Sequence, residues 1–249
     1  MVIMASPPYP FLVAGLFLLT FGFWFISWNL NVRRRALRVS SALLFATMLV
    51  FLPAAESRHR ALQTITGTPS NHLVVIGDSI SAGINPLQPP WPAVMQNISG
   101  VRVVNLARPG AYVRDGLDMA DKLVPGDRLL LVEIGGNDLI TGVPTREFRN
   151  FLDALLRRVC MPQRTVVMFE LPLLPWRIGD GQAQRELATK YGVVLIPKRF
   201  FMYVISGPKA TSDGLHLLPE GEQRMALLVL RVFKDVLYPD AVNALPAAQ

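Results

Sequence analysis

Two uncharged apolar runs open the chain, and a different pattern follows them. The first, "PFLVAGLFLLTFGFWFISWNL", covers residues 10–30. At about 1.5 Å per residue, a helix of that length crosses a hydrocarbon core of about 30 Å. The second, "VSSALLFATMLVFLPAA", covers 39–55. With Leu37 and a snorkelling Arg38 it occupies 37–55 and meets the lower limit for a span. Arg33, Arg34 and Arg35 stand between the two runs. A buried helix of a soluble core seldom avoids every charge for about twenty residues. A secretory signal carries its basic residues ahead of the apolar run, whereas the first positive charge here is Arg33. Residues 1–55 therefore read as a two-helix transmembrane anchor. Residues 56–71, "ESRHRALQTITGTPSN", read as a polar linker.

Beyond the linker, short β-branched runs alternate with segments of helical length. The runs are "HLVVI" (72–76), "VRVVN" (101–105), "RLLLVEI" (128–134), "TVVMFE" (165–170) and "GVVLI" (192–196). They are nearly continuous in apolar character, as strands buried on both faces are. Helices are predicted around Trp91 to Asn97, Val113 to Leu123, Thr145 to Val159, Gly181 to Tyr191 and Pro219 to Leu237. The alternation predicts one doubly wound α/β domain over 72–249, built on a five-stranded parallel sheet. Ligands of such sheets bind beyond the carboxyl ends of the strands.

Charge changes the picture only at the membrane. The net charge of +7 would suggest an acidic partner such as nucleic acid. However, residues 1–60 hold six Arg against one Glu, and residues 61–249 hold 19 basic against 17 acidic side chains. The basicity is mostly a membrane-flank signal, and no nucleic-acid partner is expected. Arg33, Arg34, Arg35 and Arg38 outnumber Arg58 and Arg60 beyond the second run. Lys and Arg excess marks the cytoplasmic side, so the turn is expected to face the cytoplasm of a bacterial inner membrane. The 72–249 domain is then expected outside it, in the periplasm if the cell is Gram-negative, with a single span and a cytoplasmic domain as the alternative. The single Cys160 excludes an internal disulfide, and His59, His72 and His216 form no cluster with zinc-ligand spacing.

Candidate chemistry begins where the first strand ends, in "GDSISAG", which puts Ser79 at the ligand crevice. A serine hydroxyl is a weak nucleophile unless a base and an orienting group stand beside it. "TSDGLHLLPEG" supplies His216, with Asp213 three residues earlier. Donors for a tetrahedral oxyanion come from Asn137 in "EIGGNDL", after the third strand, and from the backbone N–H of Gly110 in "NLARPGA", after the second. Taken singly, Asp78 with Gly77, or Asn137 with Asp138, could be a turn or a helix cap. Their joint occurrence with Ser79 and His216 argues for a site.

These four stretches resemble the sequence blocks of the SGNH, or GDSL-type, hydrolases, in order, over residues 72–237. "GDSISAG", "WPAVM", "GGNDLITG" and "YGVVLIP" are most similar to the arylesterase, lysophospholipase and acyl-thioesterase branch. The resemblance implies a flavodoxin-like three-layer α/β/α sandwich with Ser79 as nucleophile and His216 and Asp213 as its partners. It further implies an oxyanion hole formed by Ser79 N–H, Gly110 N–H and the Asn137 side chain, with no metal or organic cofactor. Two features depart from the branch. His216 is followed by "LLPEG" instead of Pro and a polar residue, and "ARP" stands where small polar residues are commoner. Arg108 is a candidate contact for an anionic head group, and Asp78, beside the nucleophile, is a second candidate substrate contact.

The expected protein is a membrane-anchored serine ester hydrolase acting on lipid, lysophospholipid or aryl and acyl esters. Residues 10–30 and 37–55 would meet the bilayer. An acyltransferase or O-acetyl esterase of envelope polysaccharide is the same-fold alternative, and an idle membrane-tethered binding module is the alternative from another class. Acyl length, leaving group and oligomeric state are left open.

Overall fold

The computed structural model describes residues 11–29, 37, 39–47, 61–63, 65, 67, 69–172 and 177–237. The chain divides into two compact units, one of Pro7–Ala61 and one that takes in Leu62–Gln249.

In the N-terminal unit, Phe11–Asn29 is a 19-residue helix. Residues 39–47 are helical as well. Ser27 Oγ and Ser41 Oγ lie 2.8 Å apart, and both side chains are buried. The Trp24 and Phe45 rings stack with centroids 5.2 Å apart. Leu18, Leu19, Phe25 and Trp28 are exposed. In this unit Thr20, Ser27 and Ser41 are buried while these large apolar side chains are exposed. The spans expected at 10–30 and 37–55 lie partly outside the described residues. Among the described residues, no helix is long and apolar enough to cross a membrane.

The second unit is built on β1 (His72–Gly77), β2 (Arg102–Asn105), β3 (Leu129–Glu133), β4 (Thr165–Phe169) and β5 (Val194–Ile196). All pairings are parallel and the order is β2-β1-β3-β4-β5, that of flavodoxin-like sheets. Side chains alternate across the sheet as a period of two requires. Leu73, Val75, Leu129 and Leu131 enter one apolar cluster, with Trp91, Met95, Phe201, Met225 and Phe233. Val74, Ile76, Leu130 and Val132 enter the other, with Phe148, Leu152, Leu155 and Leu187. Both faces are covered, which explains why these strands read as unbroken apolar runs.

Helices Trp91–Ser99, Thr145–Val159, Ile178–Tyr191 and Pro219–Phe233 stand where the sequence places them. The expected helix at 113–123 is instead a 3₁₀ turn, Val113–Asp115, followed by the short helix Gly116–Ala120. A β-carbon on Gly116 would come within 2.9 Å of the Leu155 side chain, so the start of this short helix lies close against the Thr145–Val159 helix. Lys198–Ile205 is a helix that the pattern did not indicate; it starts after Pro197 and buries Phe201 and Val204. Leu62 and Ile65 pack on the core, and Ser70 N–H donates to the Val236 carbonyl at 2.9 Å. From Leu62 onward the stretch read as linker is therefore part of the second unit, drawn in by the apolar pair.

Candidate active site

The serine turn is shaped by close backbone approach. Gly77 ends β1 opposite Glu133, and a β-carbon there would lie 2.7 Å from the Ser81 side chain and 3.0 Å from the Glu133 carbonyl oxygen. Asp78 N–H donates to that carbonyl at 3.1 Å. The Asp78 carboxylate accepts the Ile80 N–H at 3.0 Å and caps the short helix Ser79–Ala82. Asn105, at the end of β2, ties the far side of the turn by donating to the Ser81 carbonyl at 2.8 Å. Ser79 is buried except for a small opening.

The histidine comes from a loop that closes on itself. Ser212 N–H donates to the His216 carbonyl, and Leu218 N–H to the Ala210 carbonyl. Gly214, at φ +87°, makes the reversal that a side chain would strain. Asp213 Oδ1 accepts the N–H groups of Leu215 and His216, and Oδ2 lies 2.6 Å from His216 Nδ1. The His216 side chain holds the Asp213 carboxyl down at about 2, with the His216 N–H adding to the effect. The carboxylate thus stays ionised at neutral pH and fixes the imidazole with Nδ1 as donor. His216 Nε2 is left facing Ser79 Oγ, 3.1 Å away and 137 positions earlier in the chain.

Behind the second and third blocks lies one clamp. Asn137 Nδ2 donates to the Ala111 carbonyl at 2.9 Å, and Asp138 accepts the Val113 N–H at 2.9 Å. Together they grip the segment that follows Gly110, itself at φ +73°. Gly135, at φ +112°, opens the Gly136–Ile140 helix that carries both side chains. The Asn137 amide has a second N–H not used on Ala111.

A cavity of about 130 Å³ adjoins Ser79. Its lining combines polar Asp78, Ser79, Glu133 and Asn137 with Gly136 and a larger apolar set that includes Ile80, Leu139, Leu171 and Phe201. Asp78 is pushed up to about 6, mainly by burial, against the Ile80 hydrogen bond and the nearby His216. Glu133 is raised well above its ordinary value by burial and then by the Asp78 charge. Its carboxyl accepts the Ser81 hydroxyl at 2.7 Å.

Of the residues predicted from sequence, Ser79, Asp213 and His216 are joined directly, and Ser79, Asp78 and Asn137 share the cavity. Gly110 and Arg108 are not among the cavity-lining residues. Arg108 is exposed and donates to the Asp115 carbonyl and the Asp118 carboxylate. Glu133 was missed, although a carboxyl at the end of an apolar strand was a visible signal. Phe201 was missed with its helix. Among the described residues no group of three or more His, Cys, Asp or Glu could hold a metal ion.

Residues 75–224 match the GDSL-like Lipase/Acylhydrolase family. The chain is 30% identical over 177 residues to an arylesterase of Vibrio mimicus, covering 64% of this chain and 86% of that protein. It is 29% identical over 168 residues to thioesterase 1/protease 1/lysophospholipase L1 of Escherichia coli (strain K12), covering 62% and 79%. In three dimensions it is similar to the crystal structure of TesA, with a TM-score of 0.57, 24% identity and coverage of 67% of this chain and 99% of that one. The psychrotrophic esterase EstA from Pseudoalteromonas sp. gives 0.56 at 18% identity, covering 67% and 96%. At these identities the structures speak for the fold.

Proposed function

The chain belongs to the GDSL-like lipase/acylhydrolase family and is a carboxylic ester hydrolase, and we propose that Ser79, His216 and Asp213 carry its reaction in a membrane-tethered enzyme. The observation that carries this reading is the unbroken line Asp213 Oδ2, His216 Nδ1, His216 Nε2, Ser79 Oγ, with separations of 2.6 and 3.1 Å across the ring.

Ser79 Oγ attacks the acyl carbonyl while His216 Nε2 takes its proton, and the Asp213 carboxylate steadies the imidazolium. The oxyanion is met by Ser79 N–H, the free N–H of the Asn137 amide and Gly110 N–H. His216 returns the proton to the leaving alkoxide or phenoxide, and water, activated by the same imidazole, releases the acid. The apolar walls supplied by Ile80, Leu139, Leu171 and Phe201 suit an acyl chain.

Tethering is supported by the N-terminal unit. Buried, hydrogen-bonded Ser27 and Ser41 beside exposed Leu, Phe and Trp side chains suit a lipid surrounding better than water. The excess of Arg in the turn favours a catalytic unit outside the inner membrane, where lipid and envelope esters are met.

Two measurements test the reading. Ser79→Ala should abolish p-nitrophenyl ester hydrolysis and fluorophosphonate labelling with the fold unchanged, a loss of about 10⁶ in kcat. More than a few per cent of residual activity would overturn the nucleophile. Alkaline phosphatase fused after Ala61 should be active and green fluorescent protein fused there dark; the reverse pattern would overturn the orientation.

A further inference from the structure

A second route, through the interior, joins the histidine loop to the serine turn. Gln88 Nε2 donates to the Leu217 carbonyl at 3.1 Å, one residue past His216, and to Glu222 Oε1 at 3.3 Å. Glu222 Oε2 accepts the Trp91 backbone N–H at 2.6 Å. The Trp91 indole donates to Ser81 Oγ at 3.2 Å, and Ser81 Oγ donates to Glu133. Ser81 lies in the same helix as Ser79, and Glu133 holds Asp78 through the main chain. Trp91, Ser81, Glu133 and Glu222 are each 3% exposed or less. In such a setting every lost partner leaves a buried group unpaired.

Among these contacts, the Gln88 bond is the one that runs from the segment after the serine turn directly to the main chain of the histidine loop. The loop's internal shape is already set by the Ser212–His216 and Ala210–Leu218 bonds. Its placement comes from Leu217 in the core and from the helix that starts at Pro219, and Gln88 adds a direct polar tie toward the serine side. Gln88 comes from the mostly exposed segment 84–89, where Leu87 is 93% exposed. Its amide offers two hydrogens to two oxygen acceptors, which neither a carboxylate nor an apolar side chain could do. The tie reaches the sequence "LLPEG", where the chain departs from its branch.

We propose that Gln88 and Glu222 are positioning residues for ester hydrolysis, holding the Leu217 carbonyl and hence the His216 imidazole at proton-transfer distance from Ser79. This rests on the reading of Ser79 and His216 as nucleophile and base. Gln88→Ala removes the tie. Glu222→Gln keeps an acceptor for Trp91 N–H but turns an amide N–H₂ toward that of Gln88, which must swing away from Leu217.

Each variant, assayed in the full-length protein, should lose about tenfold in kcat, because a misplaced base slows chemistry without weakening binding. KM should stay within about twofold. Fluorophosphonate labelling should slow by the same factor as kcat, and Gln88→Ala/Glu222→Gln should lose no more than either single variant. A purely structural role would lower Tm and leave kcat per folded molecule intact. Wild-type kcat in folded Gln88→Ala, losses confined to KM, or additive losses would each overturn the proposal. Should Glu222→Gln fail to fold, the half-buried Gln88→Ala still decides. An enzyme that Ser79→Ala inactivates but Gln88→Ala does not would refute the positioning alone; activity surviving in Ser79→Ala would refute the reading beneath it.

Discussion

Asp213 Oδ2 lies 2.6 Å from His216 Nδ1, while Oδ1 of the same carboxylate holds the backbone N–H groups of Leu215 and His216. One four-residue turn therefore orients the His216 imidazole and selects its tautomer. Asp213→Asn should keep the two backbone bonds through its amide oxygen but present N–H₂ to Nδ1. That selects the wrong tautomer, and kcat should fall by about 10⁴. A loss of less than about tenfold would show that the carboxylate is dispensable. The measurement is steady-state hydrolysis of a p-nitrophenyl ester.

Asn137→Ala should lower kcat by about 10²-fold with little change in KM, because its free N–H meets charge that exists only in the transition state. The variant also loses the bond to the Ala111 carbonyl. Circular dichroism and Tm should accompany the kinetics to separate that loss from catalysis. An effect confined to KM would make Asn137 a substrate-binding residue instead.

The cavity beside Ser79 is close in size to the ~150 Å³ cavity that accommodates benzene. Short acyl chains should therefore give the highest kcat/KM in an ester series from acetate to palmitate. Leu139→Ala removes a wall that is 4% exposed and should move the optimum to longer chains, with a stability cost of about 2–5 kcal/mol. An unchanged length profile in the folded variant would place the acyl chain elsewhere.

Glu222, ordinarily near 4.5, is pushed up to about 7 by burial, against the hydrogen bonds from Trp91 N–H and Gln88. The folded state thus holds this proton more tightly than the unfolded chain does. Its contribution to stability falls as pH rises from 4.5 to about 7, and the cost of the buried charge is complete above that window. Gln at this position does not ionise. The Tm of Glu222→Gln relative to wild type should therefore climb between about pH 5 and pH 8. A difference that stays flat with pH would mean that Glu222 ionises as freely as it does in water.

The five strands were legible because each run is apolar on both faces, and the structure places every one of them within two residues of its expected limits. The site blocks were legible because each falls at a strand end or before the last helix, where local sequence and chemistry coincide. The Lys198–Ile205 helix was not. At eight residues, "KRFFMYVI" is too short for periodicity to separate a helix from a buried strand, although it buries Phe201 and Val204 on one face. Arg108 looked like a pocket residue by proximity in sequence, yet its guanidinium turns to Asp118. The Gln88 and Glu222 tie had no local signature at all, since its partners are 129 and 134 positions apart in sequence.

Synthesis gives the wide separation of Ser79 from His216 a meaning in time. Translation runs at about 5–20 residues per second, so Ser79 leaves the ribosome on the order of ten seconds before His216. The apolar N-terminal helix emerges earlier still. Truncated products that stop before His216 carry Ser79 without its hydrogen-bond partner.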